Sequence, residues 1–286
     1  MATTVAPELL TAQSRPTETT TTIHRQTLAR AIRAEWIKLR TLRSTWIGMG
    51  AVVLVLVGFG AISAAVSTGS VTSPDDGGGP FDGGGPLSIV LAGADFAVLL
   101  VGVLGAMAGA REYGSRMISA TIAAVPRRWQ IIVAKAVALA AVVLPAALIG
   151  VLGAYGVGMG ILSAGDGATV GLTDDGVLRS VLGMAGYVTA IALVGLGLGM
   201  LLRSAASSIG ALVAGVLLLP ALAAGLLPAS FDSLLQYLPS SAASAFTTVE
   251  GAGDSVLAAG AGAFVLAAWV AATLGAAVLA ITRRDA

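Results

Sequence analysis

Few residues in this 286-residue chain have the types and spacing that chemistry needs. There is no cysteine, which excludes disulfides, thiolate metal sites and cysteine nucleophiles. The single histidine, His24, stands in the hydrophilic N-terminal stretch, so a Ser–His dyad or a histidine-rich metal site cannot be built in the apolar remainder. No two carboxylates share an apolar run, which removes two-carboxylate acid–base chemistry, and a Ser–Lys pair on Lys135 is the one nucleophile arrangement left. The glycine clusters 77–79 and 83–85, with Pro80 and Pro86, invite comparison with a phosphate loop. A Walker A loop needs Gly-Lys followed by Ser or Thr so that the ammonium meets the phosphates. Neither Lys38 nor Lys135 follows a glycine, and these clusters read as a flexible linker. Asp95 remains, the one acid inside an apolar run. A charge at a helix centre costs about 2.5–3.5 kcal/mol on the insertion scale. The run places Asp95 about a third of the way in from one end, where the cost is lower. An intramembrane acid is by default a functional hypothesis, here substrate or proton binding. Water from an outer vestibule, or a hydrogen bond to a nearby Ser, Thr or Tyr, is the structural alternative.

The elements that must hold these residues are membrane helices. Hydrophobic residues make up 56% of the chain, charged residues 11%, and the mean hydropathy is +0.91. A soluble domain carries about 25% charged residues, so a soluble globule of this composition could not cover its surface. Soluble enzymes, nucleic-acid binders and disordered scaffolds are therefore excluded. A span needs about 20 mainly apolar residues. Such runs lie at about 44–66, 89–110, 131–162, 180–202, 207–227 and 255–281, with Lys135 and Pro145 in the third and Pro220 in the fifth. The predicted fold class is all-α and polytopic: six transmembrane helices preceded by an N-terminal amphipathic helix. The polar lead before the first run is too long for a signal peptide, so that run is expected to be a retained anchor. Residues 1–25 are expected to be a disordered cytoplasmic tail, and 26–284 one membrane domain. Glycines at 102, 105, 109, 153, 156, 158, 160, 195, 197 and 199 are expected to serve close helix packing.

Orientation follows from the short-loop basic residues. With six spans, fifteen of the sixteen Lys and Arg residues fall on one side, in the N-terminal segment, the second-to-third loop, the turn at Arg203 and the tail. The other side holds Arg179 against nine acids. Both termini are thus expected in the cytoplasm. Arg outnumbers Lys fourteen to two, and with abundant Ala, Gly and Val this bias looks like GC-rich bacterial coding, which points to a bacterial plasma membrane.

Two cytoplasmic segments carry more information than an anchor needs. In 26–43, Leu28, Ile32, Trp36 and Leu39 recur on one helical face, with Arg25, Arg30, Arg33, Lys38, Arg40 and Arg43 mostly elsewhere. This is a basic amphipathic helix suited to the inner-leaflet interface. The second-to-third loop reads Arg111-Glu112-Tyr113-Gly114-Ser115-Arg116, then Met117 to Thr121, then Pro126-Arg127-Arg128. Its mixture of charge and apolar residues suits docking onto another protein.

The order of basic helix, six spans, and Glu112, Gly114, Ser115 and Thr121 in an E-x-G-S-x-x-x-x-T-like segment, followed by Pro126, Arg127 and Lys135, resembles the membrane subunit of ABC-2 type transporters, with a type V exporter fold. The resemblance implies that Arg111, Glu112, Gly114, Ser115, Arg116 and Thr121 form a coupling helix seated on a separate cytoplasmic ATP-binding subunit, with Pro126 and Arg127 in the re-entry pattern. It implies an elbow helix bearing Leu28, Ile32, Trp36 and Leu39, a second permease copy or paralogue, and membrane lipid as partners. No nucleic acid is implied. ATP and Mg would be held by the partner, with no cofactor or catalytic site in this chain. Pro228 to Val249 resembles the family's short re-entrant helices, with Leu234, Leu235 and Leu238 near one face and Pro239 ending the run. A cavity lined by spans two and five, with Val98, Val101, Leu217 and Leu218 as candidates, would carry an apolar or amphipathic cargo. Two other classes stay open: an ion-coupled secondary carrier using Asp95, and a non-transporting anchor for a signalling or assembly complex.

Overall fold

The computed structural model describes residues 27–70, 85–114, 128–226, 228, 232–249 and 257–283. The tail 1–25, together with Ser115, Arg116, Thr121, Pro126 and Arg127, lies outside the described residues. Among the described residues all regular structure is helical: α1 (Leu28–Thr41), α2 (Arg43–Ser67), α3 (Pro86–Val90), α4 (Ala94–Gly114), α5 (Trp129–Ala164) and α6 (Val177–Leu202), then α7 (Ala205–Val213), which passes through a π-helical turn (Ala214–Leu218) into α8 (Leu219–Leu226), and finally α9 (Asp232–Leu235), α10 (Pro239–Thr247) and α11 (Ala259–Arg283). Six of these are long and apolar enough to cross a membrane: α2, α4, α5, α6, α7 with its continuation, and α11. In hydrocarbon every backbone N–H and C=O needs an internal partner, which a helix supplies from its own chain. The protein is a multi-pass membrane protein.

Helix α6 is the most enclosed span and the centre of the bundle, packing on α4, α5, α7, α10 and α11. Its tightest partner is α4. A methyl group added at Gly105 would land on the Ala192 carbonyl oxygen, at Gly195 on that of Gly102, and at Gly199 on that of Ala106. These contacts advance together along both helices, so α4 and α6 run parallel. Helices α2 and α5 are also parallel, with Gly150 against Val53 and Leu56, and Gly60 against Ala154. Gly156 and Gly160 meet nothing within 4 Å. The glycines expected to serve packing thus divide into those that bring backbones together and those on an open face.

Between α6 and α7 the chain reverses in a few residues. Arg203 closes α6 at φ +57°, and Ser208 Oγ donates to the carbonyls of Ser204 and Leu198 at 2.6 and 3.1 Å. The π-helical turn sits immediately before Pro220. Proline cannot donate to the carbonyl four residues back, here that of Val216, and its ring crowds that oxygen, so the ladder loosens there.

Two boundaries differ from expectation. The second run does not form one helix from 89: α3 ends at Val90, a turn follows, and α4 starts at Ala94. Asp95 therefore stands in the first turn of α4 rather than a third of the way along it. A carboxylate there meets the positive end of the helix dipole and the unsatisfied first-turn N–H groups, a setting that tolerates charge. Pro239 opens α10 instead of ending a run, because proline's missing N–H costs nothing at a first helical position. Val98 and Val101 are buried inside the bundle, whereas Leu217 and Leu218 are exposed.

Candidate functional site at the basic end of the bundle

Helix α1 lies across the start of α5. Its bundle-facing side is Leu28, Ala31, Ile32, Glu35 and Leu39, at helical spacing. Ala31 is buried and the others half-buried, while Trp36 is 38% exposed with Ile37 beside it. The apolar stripe read from sequence thus divides, with Trp36 turned outward and three of its members toward α5.

Glu35 holds the centre of this contact. Its carboxylate accepts from Lys38 Nζ at 2.7 Å and from Lys135 Nζ at 3.0 Å, the second partner coming from α5. The Lys135 side chain is 7% exposed and that of Glu35 12%. Burial by itself pushes the Glu35 carboxyl up. The Lys135 charge and the hydrogen bonds from both lysines outweigh it, so the carboxyl sits below its ordinary value. Helix α1 leads directly into α2, and the joint is tied by Trp46 Nε1 donating to the Arg40 carbonyl at 2.9 Å.

Two further contacts flank the segment 115–127. On its N-terminal side Tyr113, in the last turn of α4, lies under the Arg203 guanidinium at 5.1 Å from the ring centroid. Arg203 Nε is buried without a hydrogen-bond partner among the described residues, so the negative ring face is a compensating contact for that cation. On its C-terminal side Arg128 Nη1 donates to the Ile281 carbonyl at 2.9 Å. There it satisfies an orphan carbonyl at the negative end of α11. Arg111 is exposed on the last turns of α4, and the backbone of Glu112 and Gly114 continues that helix. The α6–α7 reversal thus touches the N-terminal flank of the 115–127 segment, the end of α11 touches its C-terminal flank, and α1 bonds α5 seven residues further on.

Asp95 belongs to the other end. It is exposed and lines a cavity of about 660 Å³ between α3, α4, α6 and α10. The structure therefore does not bring Asp95 together with the basic-end residues.

Glu35 is the functional candidate that reading for basic residues passed over. Its signal was present: it is the one acid in 26–43 and completes the Leu28, Ile32, Leu39 stripe at spacings of four, three and four. Lys135, a cation early in an apolar run, called for a counter-charge, but the sequence does not say that it comes from a residue a hundred positions away. No protein-family model and no curated protein matches this sequence. Among the described residues no group of His, Cys, Asp and Glu is placed to hold a metal ion.

Proposed function

We propose that this chain is the permease subunit of an ATP-driven ABC exporter in a bacterial plasma membrane, with both termini cytoplasmic. A separate cytoplasmic ATPase supplies the energy and holds ATP and Mg, and the chain itself is not an enzyme. The observation that supports this reading best is the convergence at the basic end. The segment 111–125, read as the coupling helix, includes Tyr113, which lies against Arg203, and is followed by Arg128, which bonds the Ile281 carbonyl. Seven residues beyond Arg128, Lys135 bonds Glu35 of α1, read as the elbow helix. A displacement of that segment by the ATPase would therefore reach α4, the α6–α7 reversal, α11, α5 and α1 together. Exposed Trp36, Ile37, Arg30, Arg33 and Arg40 suit an elbow lying at the inner headgroup layer.

A second permease copy or paralogue would complete the pathway, and the exposed Leu217, Leu218 and Leu222 of the fifth span suit contact with lipid or that partner. The cargo would be apolar or amphipathic. Ion-coupled carriage has less behind it, because Asp95 stands in the first turn of its helix, at the opposite end from Lys135.

The test is gentle affinity purification of the tagged chain from its native membrane, with mass spectrometry, beside a Glu112→Ala, Arg116→Ala double variant. A stoichiometric soluble partner carrying a Walker A sequence, absent with the variant, is the expected result. A preparation with no ATPase would overturn the reading. A stoichiometric partner lacking any nucleotide motif would turn it toward a membrane anchor.

A further inference from the structure

The cavity at the end opposite Lys135 is lined by both apolar and polar residues. Its apolar lining includes Leu87, Leu91, Val177 and Met184. Its polar lining includes Asp95, Tyr187 and the Ser and Thr residues of and just after α10. Several of these hydroxyls have already used their protons. Ser88 donates to the Gly85 carbonyl at 2.7 Å, Ser244 to that of Ser241 at 2.7 Å, Thr247 to that of Ala243 at 3.0 Å and Thr248 to that of Ser244 at 2.7 Å. A hydroxyl whose proton is engaged offers only lone pairs, and an ionised carboxylate is acceptor-only. Ser240 Oγ, also in the lining, is buried with no partner among the described residues. The polar rim is thus rich in acceptors.

Charge around the rim is mostly negative. Arg179 reaches the Thr248 carbonyl at 3.5 Å but does not line the cavity. Asp166, Asp174 and Asp175 stand at the same end of the bundle, with Asp174 engaged by the Gly171 N–H at 2.7 Å. The volume of about 660 Å³ falls in the range of small-molecule sites, about 300–1,000 Å³.

We propose that this cavity binds an amphipathic amine, with its ammonium group at Asp95 and the α10 hydroxyls and its apolar body against Leu87, Leu91 and Met184. An ammonium brings up to three N–H donors and a positive charge to a rim that offers acceptors and a negative charge. An anion would meet the carboxylate without a cation on the wall. The site stands on the cavity of a single chain and does not depend on an ATPase partner.

The experiment uses the full chain in nanodiscs of zwitterionic lipid, titrated with dansylcadaverine, whose amine is protonated at neutral pH, with empty nanodiscs subtracted. The N-acetylated probe is the neutral comparator and dansylglycine the anionic one. The amine is expected to bind saturably, and both comparators at least about tenfold more weakly, equivalent to about 1.4 kcal/mol. Asp95→Asn should bring the amine to the level of its acetylated form, Asp95→Glu should keep the discrimination, and Met184→Trp should abolish binding by filling the cavity. Equal affinity for the charged and acetylated probes, a signal no greater than that of empty nanodiscs, or unchanged affinity in Asp95→Asn would overturn the proposal. If Asp95→Asn fails to give monodisperse protein, the charge series on the unaltered chain and Met184→Trp decide the matter. No nucleotide or second subunit is present in the assay, so failure here leaves the exporter reading to its own test.

Discussion

Glu35→Gln is the perturbation with the clearest consequence. It keeps the size of the side chain and removes the negative charge that Lys135 and Lys38 share at 3.0 and 2.7 Å. Removing one partner of a buried ion pair costs about 3–5 kcal/mol, because the remaining charge stays desolvated. Glu35 sits at the edge of the bundle, Lys38 is 49% exposed, and both lysines keep other interactions, so the lower end applies, about 3 kcal/mol. At about 1.4 kcal/mol per tenfold, local opening of α1 from α5 should become roughly 100-fold more frequent. Hydrogen exchange of the α1 amides, followed by mass spectrometry in nanodiscs, reads this directly, with α6 as the internal reference. The pH dependence has a definite sign. The folded carboxyl lies below its ordinary value of 4.5, so its contribution is fully present above that value. It is lost as pH falls through the lowered folded value. Unaltered protein should therefore lose α1 protection on acidification from about 4.5 downward, and Glu35→Gln should be flat there. Equal α1 protection in both proteins at neutral pH would refute the pinning argument.

Four further outcomes are expected. Gly105→Val should abolish recovery of monodisperse protein, because its Cβ would collide with the backbone of α6. Gly160→Ala, with nothing within 4 Å among the described residues, should leave stability unchanged or raise it by up to about 0.4–1 kcal/mol through reduced unfolded-state entropy, read as an unchanged or higher melting temperature. Arg128→Met should free the last turn of α11 at a cost of about 1.5–3 kcal/mol, read as faster exchange confined to residues near Ile281. Tyr155→Phe removes the 2.6 Å bond to the Val170 carbonyl and should cost about 1 kcal/mol, with faster exchange in the loop that joins α5 to α6.

The six spans, their approximate limits and the gathering of basic residues at one end were legible in the sequence alone. Hydrocarbon imposes a length and an apolar composition on each crossing helix, and that constraint acts on one segment at a time. The α6–α7 hairpin was legible for the same reason, since only a few residues around Arg203 separate two long runs. What depended on a partner distant in the chain was not legible. Gly105 and Gly160 look alike in sequence, yet one faces the Ala192 carbonyl and the other faces nothing, because only packing decides which helix side meets a neighbour. Asp95 sat inside an apolar run whose composition does not mark where α3 ends and α4 begins, so its position at a helix start emerged only in three dimensions. Glu35 acquired its role from Lys135, on a different helix. Local hydropathy determines which segments enter the membrane, whereas the pairing of charges and the approach of backbones are properties of two segments at once.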